Sequence, residues 1–411
     1  MERLLERFCR YARIDSQANE KATTYPSSPG QLELGRLLVR ELHDMGITDA
    51  TQDQFGIVMA TVPGNVAGAC PVMAWVAHMD TSPETTAKNV QPQIHRNYDG
   101  RDIVLPSDPS KVIRVEANPD LAALKGKTII TTDGTTLLGG DDKAGVAAIM
   151  EAAHRLMENP HWPRGPVRLC FTCDEEIGKG VDHLDLQKLG ADVAYTLDGS
   201  GTGEIDCETF SADLAIVTLR GTNIHPAIAK GRMVNAIRLA GLFLERLPRL
   251  THSPETTEGR EGFLHPYLIE GGVAETTLRI LLRDFDTSRL AERAELLRTI
   301  GRTITAEFPS AQVDVQVTPQ YRNMAEGLKK EPRAIPLAQE AMRRVGVVPR
   351  ITIVRGGTDG SRLTEMGLPT PNLSTGEHNF HSPLEWTCLE EMDTAARMLI
   401  ELAALWSQEK R

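Results

Sequence analysis

The chain has 411 residues, of which 41% are hydrophobic and 25% are charged, and this composition is typical of a soluble globular protein. Its length exceeds what one ordinary hydrophobic core supports, so we expect two domains. The formal net charge of −11 argues against a nucleic-acid partner, which would need a basic protein face.

No segment of the sequence predicts export or membrane insertion. Residues 1–7 carry acidic side chains where a signal peptide has its apolar core. The longest stretch without acidic or basic residues other than histidine, 54–79, is interrupted by prolines and glycines and predicts two strands and a turn. Six scattered cysteines favour a reducing compartment. We therefore expect a cytoplasmic protein without membrane contact.

Short apolar strands alternate with amphipathic helices in the first half of the chain. Strands that are apolar along their whole length are typical of a sheet covered by helices on both faces. We therefore predict an α/β fold with a mixed, mostly parallel sheet flanked by helices. The predicted strands cover 57–62, 71–77, 167–172 and 193–197, and the predicted helices cover 31–45 and 145–157.

The pattern changes near residue 210 and changes back after about residue 322. The segment between these points predicts a smaller α+β domain, an open sheet with two helices, inserted into the larger domain as a lid or dimerisation domain. Its predicted strands cover 214–219, 276–283 and 312–318, and its helices cover 233–247 and 288–307. The predicted division is thus 1–210 and 323–411 for the catalytic domain and 211–322 for the insertion.

Histidines and acidic residues stand at the ends of the predicted strands. Open α/β sheets bind ligands at the carboxyl ends of their strands, so the positions of these side chains are consistent with a single binding site. His78 and Asp80 follow the strand 71–77 and share a face in extended chain because they are two residues apart. A carboxylate commonly orients a metal-bound imidazole, and Asp80 could do this for His78.

Two adjacent aspartates, Asp141 and Asp142, stand in a glycine-rich turn before the helix 145–157. Neighbouring like charges are unfavourable unless a cation or a helix N-terminus balances them. Either aspartate could also cap the helix. The local pattern alone leaves metal binding and capping open.

Three consecutive acids, which include Glu175 and Glu176, follow the strand 167–172. One glutamate could be a metal ligand and its neighbour a general base, although a solvated acidic turn explains the same residues. The turns around Asp198 and His381 look ordinary when each is taken alone. Together these motifs supply imidazoles and carboxylates, a donor set that suits zinc, manganese or cobalt.

Nine ordered motifs extend over nearly the whole chain: YPSSPGQ (25–31), HMDTSP (78–83), TTDGTTLLGGDDKAG (131–145), DEEIGKG (174–180), YTLDG (195–199), IHP (224–226), AKGRMVNA (229–236), RDFD (283–286) and RGGTDGS (355–361). They resemble the dinuclear zinc peptidases related to glutamate carboxypeptidase and succinyl-diaminopimelate desuccinylase. Within that group the sequence is most similar to the peptidase T family of tripeptide aminopeptidases.

The resemblance implies two Zn²⁺ ions per subunit, with Co²⁺ or Mn²⁺ as substitutes. Asp141 would bridge the two ions, Asp80 would orient an imidazole and Glu175 would be the general base. Asp142 and His378 are then expected to be structural. The metal ligands implied by position are His78, Asp141, Glu176, Asp198 and His381.

The resemblance also implies residues that contact the substrate. His225 would stabilise the oxyanion, and Asn235 and Arg283 would bind substrate from the inserted domain. Arg355 is expected in the large domain, and an arginine suits the C-terminal carboxylate of a peptide. Either closure of the lid or the partner subunit of a homodimer could bring His225 to the site.

The function implied is removal of the N-terminal residue from short peptides, above all tripeptides, with a free N-terminus. A dipeptidase, a carboxypeptidase or an N-acyl amino acid deacylase of the same superfamily is the nearest alternative, because it would use the same metal ligands. A binding protein without activity is a further alternative. It would lack a ligand or the base, whereas all of these residues are present.

Overall fold

The computed structural model describes residues 1–411 and divides into two compact units. The first unit comprises Met1–Cys207, Glu326–Thr352 and Thr358–Arg411, and the second comprises Glu208–Ala325 and Ile353–Gly357. The segment 353–357, which includes Arg355, thus belongs to the second unit, so the sequence-based placement of Arg355 in the large domain is wrong.

The strands and helices are numbered in chain order. The strands are β1 (Thr51–Gln52), β2 (Val58–Val62), β3 (Met73–His78), β4 (Gln93–His95), β5 (Ile103–Val104), β6 (Val112–Ile113), β7 (Ile129–Thr131), β8 (Val167–Thr172), β9 (Val193–Thr196), β10 (Glu204–Thr209), β11 (Ser211–Arg220), β12 (Phe263–Gly271), β13 (Glu275–Asp284), β14 (Gln312–Tyr321), β15 (Arg350–Val354), β16 (Asn372–Leu373), β17 (Glu377–His378) and β18 (Trp386–Cys388). The α-helices are α1 (Glu2–Ala12), α2 (Pro29–Asp44), α3 (Pro119–Ala123), α4 (Gly140–Glu158), α5 (Leu186–Leu189), α6 (Ala236–Glu245), α7 (Thr287–Glu307), α8 (Ala325–Leu328), α9 (Ala334–Arg344), α10 (Asp359–Glu365) and α11 (Leu389–Trp406).

The first unit is built on a mixed eight-stranded sheet in the order β1-β2-β8-β3-β9-β16-β10-β15. Its centre, β8-β3-β9-β16, is parallel, whereas β2 is antiparallel to β8. Every residue of β3 is buried, and α4 packs against β3 and also contacts α1 and α11. The sheet confirms the predicted α/β fold, and it places the carboxyl ends of β3, β8 and β9 at the same edge.

A smaller antiparallel sheet in the same unit has the order β17-β18-β7-β4. Its pairings join parts of the chain that are far apart in sequence, since Trp386 lies opposite both Thr131 and His378. The loops that leave this sheet carry Asp141 and His381. The sheet therefore fixes two chain segments that the sequence analysis treated as separate turns.

The second unit has a four-stranded antiparallel sheet in the order β12-β13-β11-β14, covered by α6 and α7. Burial alternates along β13 because only one face of this sheet packs on the helices. Its core includes Phe243, Leu278 and Leu297. This is the predicted open α+β sheet with two helices. Across the whole chain, none of the helices combines the length and apolar character that a membrane crossing requires.

Candidate active site

The carboxyl ends of three parallel strands present the first group of predicted site residues. His78 is the last residue of β3 and is 3% exposed. Glu175 and Glu176 follow β8 in a short 3₁₀ turn, and Asp198 follows β9. Parallel strands end at a common edge, so residues that are far apart in the sequence, such as His78 and Asp198, converge here.

The Asp141 carboxylate lies between two imidazoles. Its Oδ1 is 2.9 Å from His78 Nε2, and its Oδ2 is 3.3 Å from His381 Nε2. A second carboxylate stands beside each imidazole: Asp198 Oδ1 is 3.8 Å from His78 Nε2, and Glu176 Oε2 is 2.9 Å from His381 Nε2. The structure thus gathers all five predicted metal ligands in the first unit, with Asp141 in the middle.

Two oxygen atoms in this cluster, Asp141 Oδ1 and Glu176 Oε1, are buried and accept no hydrogen bond of normal geometry. Buried polar atoms are seldom left in this state. His78, Asp141 and Glu176 offer ligand atoms within 4.8 Å of one another, and so do His78, Glu175 and Asp198. Imidazole and carboxylate are the donors that zinc prefers in sites open for catalysis. The residues therefore fit a dinuclear metal centre.

The crowding of buried carboxylates changes their proton affinity. Burial and the charge of Asp141 raise the pKa of Glu176 to about 8 and the pKa of Asp198 to about 7. Burial opposes the charged form of His381, but the carboxylates of Asp141 and Glu176 outweigh it and raise the pKa of His381 to about 11. Without metal the cluster holds protons, and divalent cations would displace them.

Asp80 makes more contacts than the predicted orienting role requires. His78 Nδ1 lies 3.1 Å from the backbone oxygen of Asp80 and 3.5 Å from its Oδ1. The two carboxylate oxygens of Asp80 also accept the backbone N–H groups of Glu175 and Glu176, each at 3.1 Å. One fully buried carboxylate therefore holds the imidazole of β3 next to the acidic turn after β8.

Asp142 and His378, both expected to be structural, use their side chains for contacts with the backbone or with residues other than the metal ligands. Asp142 Oδ1 accepts the N–H of Gly145 and caps the regular part of α4, while its Oδ2 accepts the N–H of His78. The His378 ring stacks on Trp386 at a centroid distance of 3.7 Å, and its Nε2 lies 2.8 Å from Glu391 Oε2. These contacts explain both residues without a metal.

Two buried glutamates at this site were missed by the sequence analysis. Glu377 is 2% exposed and forms a third group of candidate ligand atoms with Asp141 and Asp198. Glu385 is 1% exposed and contacts the backbone of the Asp141 loop. Each lies within four residues of His381, and this proximity to a predicted ligand was the only feature of the sequence that could have indicated them. Their contacts with the other loops arise only in the folded chain.

The second unit carries the other predicted residues. His225 is exposed, and its Nδ1 accepts the N–H of Ala227 at 3.2 Å. In the neutral ring the proton is therefore on Nε2, which is a hydrogen-bond donor. Asn235 caps α6 through its Oδ1, which accepts the N–H of Ile237. The Asn235 side-chain N–H₂ group makes no part of that cap.

Arg283 and Arg355 lie near each other within the second unit. The Arg283 guanidinium contacts the Tyr321 hydroxyl and lies over the Tyr321 ring. Arg355 donates to Thr257 Oγ1 at 2.8 Å, and its guanidinium lies over Phe263, the residue opposite Arg283 in the sheet. Both cations are partly buried on aromatic rings.

Comparison with known proteins agrees with this arrangement. Residues 133–405 match the model of peptidase family M20/M25/M40. The chain is 43% identical over 409 residues to a peptidase T of Listeria monocytogenes serotype 4a, covering 100% of both chains. It is 44% identical to a peptidase T of Geobacillus kaustophilus, covering 99% of both chains.

A crystal structure of a tripeptidase from Staphylococcus aureus has the same fold, with a TM-score of 0.77, 23% identity and 99% coverage of both chains. The family match covers the motifs from Asp141 to His381, and the relatives match from end to end. The chain therefore belongs to peptidase family M20/M25/M40 and, within it, to the peptidase T family of tripeptide aminopeptidases.

Proposed function

We propose that this chain removes the N-terminal residue of tripeptides at a site that holds two zinc ions. The observation that carries the proposal is the position of Asp141, whose two carboxylate oxygens face different imidazoles. His78 and Asp198 would complete one zinc site, and His381 and Glu176 would complete the other. Co²⁺ or Mn²⁺ would be accepted by the same donors.

Bound zinc would polarise the scissile carbonyl and lower the pKa of a water molecule. Glu175 would accept the proton of the attacking water and deliver it to the leaving amine. Its carboxylate has ligand atoms within 4.8 Å of those of His78 and Asp198, and this proximity supports the role of Glu175 as the base. Asp80, through the backbone N–H groups of Glu175 and Glu176, would keep the base and a metal ligand in fixed relation.

His225 would donate a hydrogen bond to the oxyanion of the tetrahedral intermediate. The N–H of Ala227 occupies Nδ1, so the exposed Nε2 of the neutral ring is the donor. Arg283 and Arg355 would bind the peptide carboxylate, and Asn235 would bind substrate through its N–H₂ group. Residues 211–322 would serve as the lid or dimerisation domain that carries most of these groups.

Asn235 and Arg283 lie at opposite ends of the sheet of the second unit. Arg283 is opposite Ala212 at the start of β11, whereas Arg220 ends that strand. Asn235 is at the Arg220 end of the sheet. The residue after it, Ala236, donates its N–H to Val273, which lies in the turn just before Glu275, the residue opposite Arg220. The separation is about 26 Å at 3.3 Å per residue, and a tripeptide spans only about 11 Å. We infer that one site receives Asn235 from one copy of the chain and Arg283 from another, as in a homodimer.

A peptide-length series tests this function. Dipeptides, tripeptides and tetrapeptides with free and with blocked N-termini would be incubated with metal-loaded protein. We expect tripeptides with a free N-terminus to be cleaved after their first residue. Preferred cleavage of dipeptides, of C-terminal residues or of N-acyl amino acids would assign the chain to another activity of the superfamily. We expect the partners of the chain to be short peptides of the cytoplasm, and we expect it to bind neither nucleic acid nor a membrane.

A further inference from the structure

Glu385 occupies a cradle of backbone N–H groups next to the bridging aspartate. Its Oε2 accepts the N–H of Leu138 at 2.6 Å and that of Gly139 at 2.8 Å, and its Oε1 accepts the N–H of Asp141 at 3.1 Å. Successive backbone N–H groups that point into one concavity form an anion site. Here the anion is supplied by a side chain more than 240 positions along the chain.

The same residue is tied to the loop of His381. The N–H of Glu385 donates to the backbone oxygen of Ser382 at 3.1 Å, and the next residue, Trp386, begins β18. The carboxylate therefore spans the loop of one imidazole and the loop of the bridging carboxylate. These two loops are far apart in the sequence.

The approach of Glu385 depends on a glycine. A Cβ atom added to Gly140 would lie 3.1 Å from Glu385 Oε1, which is tighter than ordinary van der Waals contact. Gly140 does not have a positive φ, so the requirement comes from the neighbouring carboxylate and not from the backbone conformation. The absence of a side chain at position 140 leaves room for the carboxylate to reach the N–H groups.

We propose that Glu385 is a positioning residue for the metal centre: it fixes the Asp141 carboxylate relative to His381 and thereby sets the affinity for metal. This inference rests on the proposed function of Asp141 and His381 as metal ligands. A ligand displaced by a fraction of an ångström binds its metal less well, and outer residues that orient ligands commonly contribute 10–100-fold to affinity.

A purely structural role for Glu385 is the competing explanation, and the chain offers a matched control. Glu390 Oε2 accepts the N–H of Thr128 at 2.9 Å, and its Oε1 accepts the hydroxyl of Thr128 at 3.3 Å. Glu390 lies five positions after Glu385, and its carboxylate also holds a backbone segment that is distant in the sequence. Its side-chain hydrogen bonds go to Thr128 and Cys388, and none goes to the loops that carry the metal ligands.

The test measures zinc binding to metal-free protein by competition with a chromophoric chelator. We expect Glu385→Gln to weaken zinc binding by about 10–100-fold. Only the amide oxygen of glutamine can accept a hydrogen bond, so at least one of the three N–H groups would lose its acceptor and face an N–H₂ donor instead. Glu390→Gln should bind zinc as the wild type does. Thermal unfolding of the metal-free proteins shows whether the two substitutions cost similar stability.

Gly140→Ala provides a second variant that keeps the charge and does not depend on the folding of Glu385→Gln. Its methyl group should push Glu385 aside and weaken zinc binding by about tenfold. Wild-type affinity in both variants, or an equal loss in Glu390→Gln, would overturn the positioning role. A wild-type chain that fails to bind two zinc ions would overturn the proposed function itself, and the role of Glu385 with it.

Discussion

Glu175 donates its backbone N–H to Asp80 Oδ1 at 3.1 Å, so the proposed base is held by the carboxylate that also stands beside His78. The contact is made by the backbone of Glu175 and leaves its side chain available for proton transfer. A substitution of the side chain should therefore leave the surrounding turn in place.

Glu175→Ala should keep both metal ions and nearly all stability but lose turnover by about 10²–10⁴-fold, the range for removal of a general base. Metal content after dialysis and kcat for a tripeptide are the two measurements. Because Glu175 also lies in a group of candidate ligand atoms, a loss of one metal ion would identify it as a ligand instead. Turnover near that of the wild type would show that another group takes the proton.

His381→Ala should lower both metal content and activity, because it removes the imidazole that faces Asp141 Oδ2. His378→Ala should keep both metal ions, since its ring contacts Trp386 and Glu391 instead. The His378 variant should lose stability of about 1–3 kcal/mol, because Glu391 Oε2 loses its partner. Metal analysis and chemical unfolding of both variants separate these effects, and the reverse pattern would exchange the two assignments.

Acetylation of the N-terminus of a good tripeptide substrate should abolish its cleavage. The α-ammonium group is expected to be recognised among the carboxylates around Asp141, and an acetyl group removes its charge. The same tripeptide with a free amine is the control, and chromatography of the products is the measurement. Efficient hydrolysis of the acetylated peptide would favour an N-acyl amino acid deacylase.

His225→Ala should lower kcat by about 10²–10³-fold, the range for loss of one oxyanion donor, with metal content unchanged. If His225 acts across subunits, a mixture of His225→Ala with Glu175→Ala should regain activity, because mixed dimers contain one site with both residues intact. Native mass spectrometry would verify the exchange of subunits. Exchange without recovery would contradict the inference that two copies of the chain share one site, and it would favour closure of the second unit within one chain.

Glu151→Gln should destabilise the first unit at neutral pH. Glu151 is buried, and although burial opposes its ionisation, Arg3, Arg7 and Arg155 lower its pKa to about 2 from an ordinary value of 4.5. A lowered folded-state pKa gives stability that is complete above pH 4.5 and lost as the pH falls toward 2, here about 3 kcal/mol. Urea unfolding from pH 7 to pH 3 measures this dependence.

The variant should show a flatter pH dependence than the wild type over that range. Glu158→Gln is the matched control: Glu158 also pairs with Arg3, but its side chain is 48% exposed, so the substitution should cost less than about 1 kcal/mol. An equal effect of the two substitutions would contradict the role of burial.

The sequence by itself determined the α/β core, the insertion and the chemical type of the site. Apolar runs define β3, β8 and β9, and each is followed at once by its histidine or acid, so both signals lie in one short window. The order of the motifs also identified the family. These features are local or linear, and a pattern of residues along the chain records them directly.

Only the tertiary structure decided which groups touch. The buried contacts of Glu385 with the Asp141 loop and of Asp80 with the Glu175 turn join residues about 244 and 95 positions apart. The segment around Arg355 likewise joins the second unit from outside the predicted boundaries. Such contacts follow from how separate loops pack once the sheets have formed, and hydrogen bonds from side chains to distant backbone leave no periodic trace in the sequence.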